Sequence, residues 1–372
     1  MQEELLQFKK LNVWHLVDLP ERKYTIGTKW VFHNKRADRG IVIRNKACLV
    51  VQGFYQEKGL DYYEVFAHVS RIEAIRIFLA CASYKKFKVY QMDVKIAFLY
   101  GVVKEELDKA LYGLHQAPHA WYETLSTHLT SIGFVHGTID KTLFLKKFDS
   151  DLLIVQVYVD DIIYGSTNEN LYKDFEAVIK LKFKAKYVKD ILTKFKMNDC
   201  KSASTPIAPH EPLNVDLSRV EVNQKAYRSM TGSLMNLIVS RPDIMFKVFS
   251  CAIYQAAPKE SHESAVKRIF CYLKGRVNLG FWYPSDSEFN SYAYTDSDYG
   301  GCNLDKKSTS GGCQFLGERL VSWQCKKQTN VFTSTAKAEY TAVSSCCSQV
   351  IWIQHQLMDG LWNQFLGDPD LL

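Results

Sequence analysis

The sequence predicts an α+β protein in which strands and helices come in blocks rather than in regular alternation. Three observations support this prediction. Residues 28–54 alternate in strand fashion around an Asp-Arg-Gly turn, which indicates a basic β-hairpin. Residues 72–84 have helical periodicity, whereas 152–164 form an apolar run interrupted by two aspartates. Hydrophobic residues make up 47% and charged residues 23%, an ordinary globular composition that argues against a disordered chain.

The remaining elements follow from the same patterns of periodicity and turn residues. Residues 201–222 are rich in Ser and Pro and form the best linker candidate. The predicted strands are 89–94, 279–283, 290–296, 311–316 and 320–324, and the predicted helices are 117–132, 226–254, 261–274 and 335–357. We therefore predict three regions, 1–200, 201–284 and 285–372.

Charge and cysteine usage narrow the class of protein. The formal charge of +7 permits a polyanionic partner without requiring one. The 10 cysteines have no CxxC pairs or metal-like spacing, which predicts free thiols in a reducing compartment. No signal-peptide core is present, and no apolar run approaches the roughly 20 residues that a membrane span needs. The expectation is a soluble intracellular protein, cytoplasmic or nuclear, that makes no membrane contact.

Two acidic groups stand out from the predicted strands and helices. Asp160 and Asp161 interrupt an apolar hairpin, and Asp93 is a lone acid in the strand VYQMDV. Burying such carboxylates is unfavourable unless a cation compensates them, and carboxylates at neighbouring strand ends can hold two Mg²⁺ ions for phosphoryl transfer. The alternative is that Asp160 and Asp161 serve only as turn residues.

The second acidic group lies near the C-terminal end of the chain. Asp296 ends a predicted strand, and Glu339 lies in a predicted helix. Two-metal nucleases also use carboxylates from a strand and the following helix. Asp298 is the weaker candidate, suited to capping or to facing solvent. The alternative for Glu339 is a place on a solvated helix face.

Longer strings carry a resemblance to copia-type LTR retrotransposon Pol polyproteins. The strings that resemble their reverse transcriptase are TKWVFHNKR, RNKACLVVQGF, VYQMDVKIAFLYG, LYGLHQAPHAWY, VYVDDIIYGS, YRSMTGSLMNLIVSRPDI and RIFCYLKG. Those that resemble their RNase H are YTDSDYGGC, KKSTSGGCQFLG and STAKAEYTAV. Several motifs in the family's order are a stronger signal than any one of them.

The resemblance implies both an architecture and an activity. Residues 1–200 would be the fingers and palm of a right-hand polymerase, followed by a helical connection and a partial RNase H-like α/β domain. The implied activity is RNA-directed DNA polymerase with attached RNase H, using an RNA template, a DNA primer, an RNA–DNA hybrid and dNTPs. The implied cofactor is Mg²⁺, for which Mn²⁺ could substitute.

The resemblance also implies roles for individual residues of the first region. Asp93 and Asp160 would be metal ligands, and Asp161 would support them as the second acid of the hairpin. Phe98 would exclude a ribose 2′-hydroxyl, and Gln116 would lie along the incoming nucleotide.

Two further assignments follow from the same resemblance. Lys46, with Lys35 and Arg36 on the basic hairpin, would contact template or triphosphate, although a solvated hairpin face is the open alternative. Asp296 and Glu339 would be the metal ligands of the RNase H site.

The sequence departs from the family pattern at several positions. Segments are missing near 106–110 and 190–191, and the pattern stops near Asp359, which predicts an RNase H domain truncated at its C-terminus. Cys48 stands where an arginine would neutralise triphosphate charge, and His115 and His119 replace basic residues. A catalytically inactive remnant that at most binds nucleic acid is therefore the alternative to an active polymerase.

Overall fold

The computed structural model describes residues 2–15, 18, 25–36, 42–103, 109–148, 151–182, 184–185, 203–206, 220–238, 241–276, 279–302 and 304–358. Most of the chain divides into two compact units, Met1–Val188 and Lys189–His355, which we describe one at a time.

Within the described residues, the first unit has four α-helices and eight strands. The helices are α1 (Gln2–Leu11), α2 (Ile72–Tyr84), α3 (Ala117–Ser131) and α4 (Glu169–Lys182). The strands are β1 (Thr28–Arg36), β2 (Val42–Val51), β3 (Lys88–Lys95), β4 (Val135–His136), β5 (Leu143–Phe148), β6 (Asp151–Tyr158), β7 (Asp161–Ser166) and β8 (Lys184–Ala185). The predicted hairpin at 28–54 is confirmed as β1 and β2, and the predicted apolar hairpin at 152–164 as β6 and β7.

A six-stranded antiparallel sheet organises this unit, in the order β4-β5-β6-β7-β3-β8. Strand β3 lies between β7 and β8, far from both in sequence. This placement brings the strand that carries Asp93 next to the hairpin that carries Asp160 and Asp161.

The two faces of the sheet are covered differently because side chains alternate along each strand. Leu153, Val155 and Val157 of β6 join a core with Trp121 of α3 and Phe175 of α4. Gln156 points to the opposite face, where its amide donates to the hydroxyl oxygen of Ser70, just before α2. Both α3 and α4 therefore pack on one face, and the segment leading into α2 lies on the other.

The second unit contains a helical cluster followed by a small sheet and a long helix. Its elements are α5 (Gln224–Leu237), α6 (Met245–Ala252), α7 (Glu260–Gly275), β9 (Ser291–Ser297), β10 (Thr309–Leu316), β11 (Arg319–Lys327) and α8 (Thr335–Met358). The sheet is antiparallel in the order β11-β10-β9. Helices α5, α6 and α7 share one core, and the indole N–H of Trp323 on β11 donates to the carbonyl of Ile238 after α5.

Two element predictions are corrected in this unit. The predicted helix at 226–254 is not continuous, because α5 ends at Leu237 and α6 begins at Met245 after Pro242. Residues 279–283 form no strand. Their aromatic side chains bind the sheet instead: Phe281 packs against Trp323, and the hydroxyl of Tyr283 donates to the carbonyl of Leu320.

Two further observations concern the cysteines and the helices of the described residues. The nine cysteines found there are all free thiols. Among the helices in these ranges, none is both long enough and apolar enough to cross a membrane.

Candidate active site

The first acidic group sits where β3 meets the β6–β7 hairpin. Asp93 lies directly opposite Asp161 in the antiparallel ladder, so both side chains leave the same face of the sheet. That face is opposite to the one covered by α3 and α4, because the neighbours Met92 and Ile162 belong to the apolar core. Both carboxylates are half-buried, and the side-chain amide of Gln91 donates to Asp161 Oδ1 at 3.0 Å.

Asp160 belongs to the two-residue turn that joins β6 to β7. Tyr158 and Asp161 form the last pair of the ladder, and Val159 and Asp160 make the turn between them. The carbonyl oxygen of Asp160 accepts a hydrogen bond from the backbone N–H of Val94, at 2.8 Å. The turn is thereby bound to β3 one residue beyond Asp93, and the three sequence-predicted acids come together.

Backbone strain lies on both sides of this acidic group. Val159 has φ = 54° and Ile96 has φ = 54°, a left-handed conformation that is unfavourable for β-branched residues. Each lies within three residues of a candidate metal-binding aspartate. Such strain costs on the order of 1–3 kcal/mol per residue and is concentrated at functional sites.

An aromatic pair stands beside the acids. Phe98, in a 3₁₀ turn just after β3, packs its ring against Tyr112 with centroids 4.9 Å apart. Burial raises the pKa of the Tyr112 hydroxyl well above its usual range, and the negative charges of Asp160 and Asp93 raise it further. Tyr112 is therefore close enough to both acids to feel their charge.

The backbone explains why a glycine follows Tyr112. The carbonyl of Tyr112 accepts from the N–H of Val51 at 2.7 Å, which ties this loop to β2. Gly113 has φ = 97°, and a Cβ at this position would collide with the carbonyl oxygen of Val51. Only glycine meets both conditions without strain, so the LYGL motif fixes the position of the Tyr112 ring.

Gln116 occupies a buried position just before α3. It is 3% exposed, and its Oε1 accepts from the side-chain amide of Gln56 at 3.0 Å. Gln56 also accepts from the backbone N–H of His115, and Gln116 Nε2 donates to the carbonyl of Asp61 at 3.4 Å. Through Gln56, these hydrogen bonds connect Gln116 to the backbone that follows the LYGL motif and help to hold it in place.

The basic hairpin can be described only in part. Lys46 pairs with His33 in the β1–β2 ladder, but its side chain, like those of Lys35 and Arg36, lies outside what the structure describes. Cys48 is buried and lies opposite Val31. The proposed gaps near 106–110 and 190–191 and the segment after Asp359 involve residues outside the described ranges.

The second acidic group joins β9 to α8. Asp296 Oδ1 and Glu339 Oε1 both accept from the backbone N–H of Ser297, at 2.9 and 3.2 Å. Two carboxylates thus converge on one donor, an arrangement in which like charges repel unless a cation lies nearby. Asp298 instead accepts from the backbone N–H groups of Thr309 and Gly301, which is a turn-stabilising role.

Gln328 links three elements around this second group. Its buried side-chain amide donates to the hydroxyl oxygens of Ser297 and Ser310 and to the carbonyl of Ala338, at 3.1, 2.8 and 2.9 Å. Because Ala338 directly precedes Glu339, these bonds hold the first turn of α8 beside β9.

Neither acidic group provides a complete set of protein ligands for a metal ion among the described residues. Within the described ranges, no group of three or more His, Cys, Asp or Glu residues is arranged to hold a metal.

Comparison with known proteins identifies the first unit. The family model for reverse transcriptase (RNA-dependent DNA polymerase) matches residues 11–107 and 105–205, together more than half of the chain. This chain belongs to the reverse transcriptase family. The matched range contains β3, the LYGL loop and the acidic hairpin, which is the β6–β7 hairpin that carries Asp160 and Asp161.

Similar full-length proteins are Pol polyproteins. The chain is 32% identical over 389 residues to the Retrovirus-related Pol polyprotein from transposon RE1 of Arabidopsis thaliana, covering 92% of this chain and 26% of that protein. It is 30% identical over 415 residues to the corresponding polyprotein from transposon TNT 1-94 of Nicotiana tabacum, covering 96% and 31%. The predicted resemblance to copia-type Pol polyproteins is confirmed, and the chain spans about a quarter to a third of their length.

A shorter relative and the form of the matches add detail. The chain is 33% identical over 168 residues to an uncharacterized mitochondrial protein of Arabidopsis thaliana, covering 45% of this chain and 69% of that protein. The match to the reverse transcriptase family comes in two pieces that meet at 105–107. The alignment with the RE1 polyprotein is longer than the 372 residues of this chain, so that relative has residues without a counterpart here.

Tyr112 packs against Phe98, although nothing in the sequence singled it out. Its hydroxyl interrupts the apolar string ALYGL, next to a glycine. That signal marks a constrained loop but does not say what the ring faces. Its contact with Phe98 just after β3 is a tertiary contact that the local sequence does not show.

Proposed function

We propose that this chain is an RNA-directed DNA polymerase whose active site is built on Asp93 and Asp160, with Asp161 in support. The observation that carries the proposal is the pairing of Asp93 with Asp161 across β3 and β7, beside the turn that holds Asp160. This arrangement lies inside the segment that matches the reverse transcriptase family.

The residues at this site fit a magnesium ion. Like charges directly opposite each other in a ladder destabilise it, so Asp93 and Asp161 favour a bound cation. Mg²⁺ prefers oxygen ligands and is commonly held by one or two carboxylates plus substrate phosphates, which suits a site without a third fixed ligand. When bound, the ion would supply charge stabilisation to the transferring phosphoryl group. Asp93 and Asp160 are the residues that would hold it, and Mn²⁺ could take its place.

Phe98 and Tyr112 would form the wall against which the incoming dNTP lies. Their rings pack together, and Tyr112 is close to the charges of Asp160 and Asp93. In this proposal Phe98 limits space at the ribose 2′-hydroxyl. We assign the place beside the nucleotide to Tyr112 and a supporting role to Gln116, because the amide of Gln116 is engaged with Gln56 and Asp61.

The second unit would contribute an RNase H-like site. The convergence of Asp296 and Glu339 on the N–H of Ser297 supports this part of the proposal. Both side chains offer oxygen ligands that suit Mg²⁺, and the expected substrate is the RNA strand of an RNA–DNA hybrid. Asp298 is assigned the role of stabilising its turn and is not part of the proposed metal site.

One observation favours a second candidate function, a non-catalytic remnant that binds nucleic acid. The match to the family breaks at 105–107, and the relatives have residues that this chain lacks. Missing support at a polymerase site could misplace the primer, and an error of about 1 Å can reduce the rate on the order of 100-fold. Cys48 adds to this case because a thiol cannot pair with a triphosphate as arginine does.

Primer extension separates the two candidates. The full chain is given an RNA template annealed to a DNA primer, dNTPs and Mg²⁺, beside an Asp160→Asn/Asp161→Asn variant. Asp174→Asn, an exposed acid on α4, is the matched control. We expect extension by the wild type and by the control, and none by the double variant. Salt-sensitive nucleic-acid binding without extension would instead support the remnant.

A further inference from the structure

We propose that Trp121 is a positioning residue for the acidic hairpin, acting through Val159 to set the orientation of Asp160. This inference rests on the proposed polymerase function, since it concerns how that site is held. In this proposal Trp121 acts through the backbone of the turn, by its hydrogen bond to Val159.

The turn needs a stabilising contact from another element because its first residue, Val159, is strained. Val159 has φ = 54°, and the turn has only two residues between the last ladder pair, Tyr158 and Asp161. A β-branched residue disfavours this left-handed conformation, so the turn left alone would tend to relax toward another geometry. Any relaxation would rotate the neighbouring Asp160.

Trp121 supplies this stabilising contact from the apolar core. Its side chain is 1% exposed, packed between α3 and the sheet, and its indole N–H donates to the carbonyl of Val159 at 2.6 Å. That carbonyl belongs to the same rigid peptide plane as the N–H of Asp160. Fixing the Val159 carbonyl therefore fixes the backbone on the N-terminal side of Asp160.

A second bond holds the other side of the same residue. The carbonyl of Asp160 accepts from Val94 N at 2.8 Å. The two peptide groups that flank Asp160 are thus bound by donors from different elements, α3 and β3. With both planes held, the Asp160 Cα–Cβ direction is set before any substrate arrives, which is what a preorganised site requires.

A plain packing role for Trp121 makes different predictions, and two substitutions separate them. Trp121→Phe keeps an aromatic ring in the core but removes the N–H donor. Val159→Gly removes the Cβ that makes the left-handed conformation unfavourable. If Trp121 acts by holding a strained turn, Val159→Gly should suppress much of the defect of Trp121→Phe.

The activity test uses primer extension at varied Mg²⁺ concentration with the full chain. We expect Trp121→Phe to lower the maximal rate about 10-fold and to raise the Mg²⁺ concentration for half-maximal rate, as loss of a buried hydrogen bond would. The double variant Trp121→Phe/Val159→Gly should recover most of both. Leu125→Val, a cavity-forming change in the same helix and core, should lower thermal stability without changing the Mg²⁺ dependence.

A readout that needs no activity keeps the inference testable if the wild type does not extend primers. Hydrogen exchange of the Val94 N–H and of the 158–162 peptide should accelerate in Trp121→Phe, and Val159→Gly should reverse this. If Trp121→Phe does not fold, a benzothienylalanine at position 121 keeps the indole shape without the N–H. A Trp121→Phe variant that behaves like Leu125→Val, or that Val159→Gly does not suppress, would overturn the proposal.

Discussion

The two acidic groups are held by different kinds of structure. In the first unit, Asp93 and Asp161 are placed by a backbone ladder, and Asp160 by two bonds to its flanking peptides. In the second unit, Asp296 lies on a strand and Glu339 on a helix, and the bonds from Gln328 link those two elements through side chains. Backbone ladders tolerate most side-chain changes, whereas a strand–helix contact depends on each buried side chain that makes it. The Asp93–Asp161 pair should therefore be more robust than the second group, whereas Asp160 also depends on the side chain of Trp121.

The largest expected effect concerns the unequal roles of Asp93 and Asp161. Asp93→Asn should reduce primer extension roughly 1000-fold, because it removes several kcal/mol of charge stabilisation at about 1.4 kcal/mol per factor of ten. Asp161→Asn should reduce it by only about 10-fold, since Asp161 is already engaged by Gln91. Single-turnover incorporation measures both variants. Equal losses would show that the three acids act as one unit.

A change in the aromatic wall should alter selectivity at the first group and leave the second untouched. Phe98→Ala opens space beside Tyr112, so discrimination between dNTPs and rNTPs should fall about 10- to 100-fold. The ratio of kcat/KM for the two nucleotides is the measurement, with Phe66→Ala as an exposed aromatic control. Unchanged discrimination would remove Phe98 from the nucleotide wall.

The dependence of the second group on side chains can be tested at Gln328. Gln328→Met removes the donor that links Ser297, Ser310 and Ala338, and should lower the free energy of unfolding by about 1–3 kcal/mol. Gln324→Met, on β11 just before Gln328 and with one exposed bond to Ser345, should change it by less than about 0.5 kcal/mol. Urea unfolding compares the two. Similar values for both variants would contradict the role given to Gln328.

A smaller effect concerns the helical cluster that supports the second sheet. Burial would raise the pKa of Asp243, but hydrogen bonds from Arg241 and Tyr272 outweigh it and hold that pKa below its usual value. A carboxylate with a lowered folded-state pKa stabilises the fold above the unfolded pKa of about 4, and loses this contribution as pH falls through the folded value. Asp243→Asn should therefore cost about 1–2 kcal/mol at pH 7, and the cost should shrink progressively as the pH falls below the unfolded pKa of about 4. Urea unfolding of the wild type and the variant across this pH range measures this, and a difference that stays constant with pH would count against the ion pair.

Much of the fold could be predicted from periodicity and turn residues. The hairpins at 28–54 and 152–164 and the helices at 72–84 and 335–357 agree with the structure within a few residues. The strand predicted at 279–283 was wrong because aromatic, β-prone residues pack there by side chain, a tertiary effect that propensity does not contain.

The three aspartates of the first acidic group could be predicted from the sequence, whereas the contacts that support them could not. Asp93, Asp160 and Asp161 stand out as charges in apolar strands, and the structure brings them together. The supporting contacts could not be read from the chain. Trp121 donates to Val159 across 38 residues, and the ring of Tyr112 packs against Phe98 just after β3. Such contacts depend on tertiary geometry and leave no local pattern.

A single labelled RNA–DNA substrate tests the central claim most directly, because it reports primer extension and RNA cleavage in the same reaction. The wild type, Asp93→Asn and Glu339→Gln are compared at saturating Mg²⁺. Asp93→Asn should abolish extension and leave cleavage, and Glu339→Gln should do the reverse. Extension that survives Asp93→Asn, or both activities lost together in either variant, would contradict the central claim.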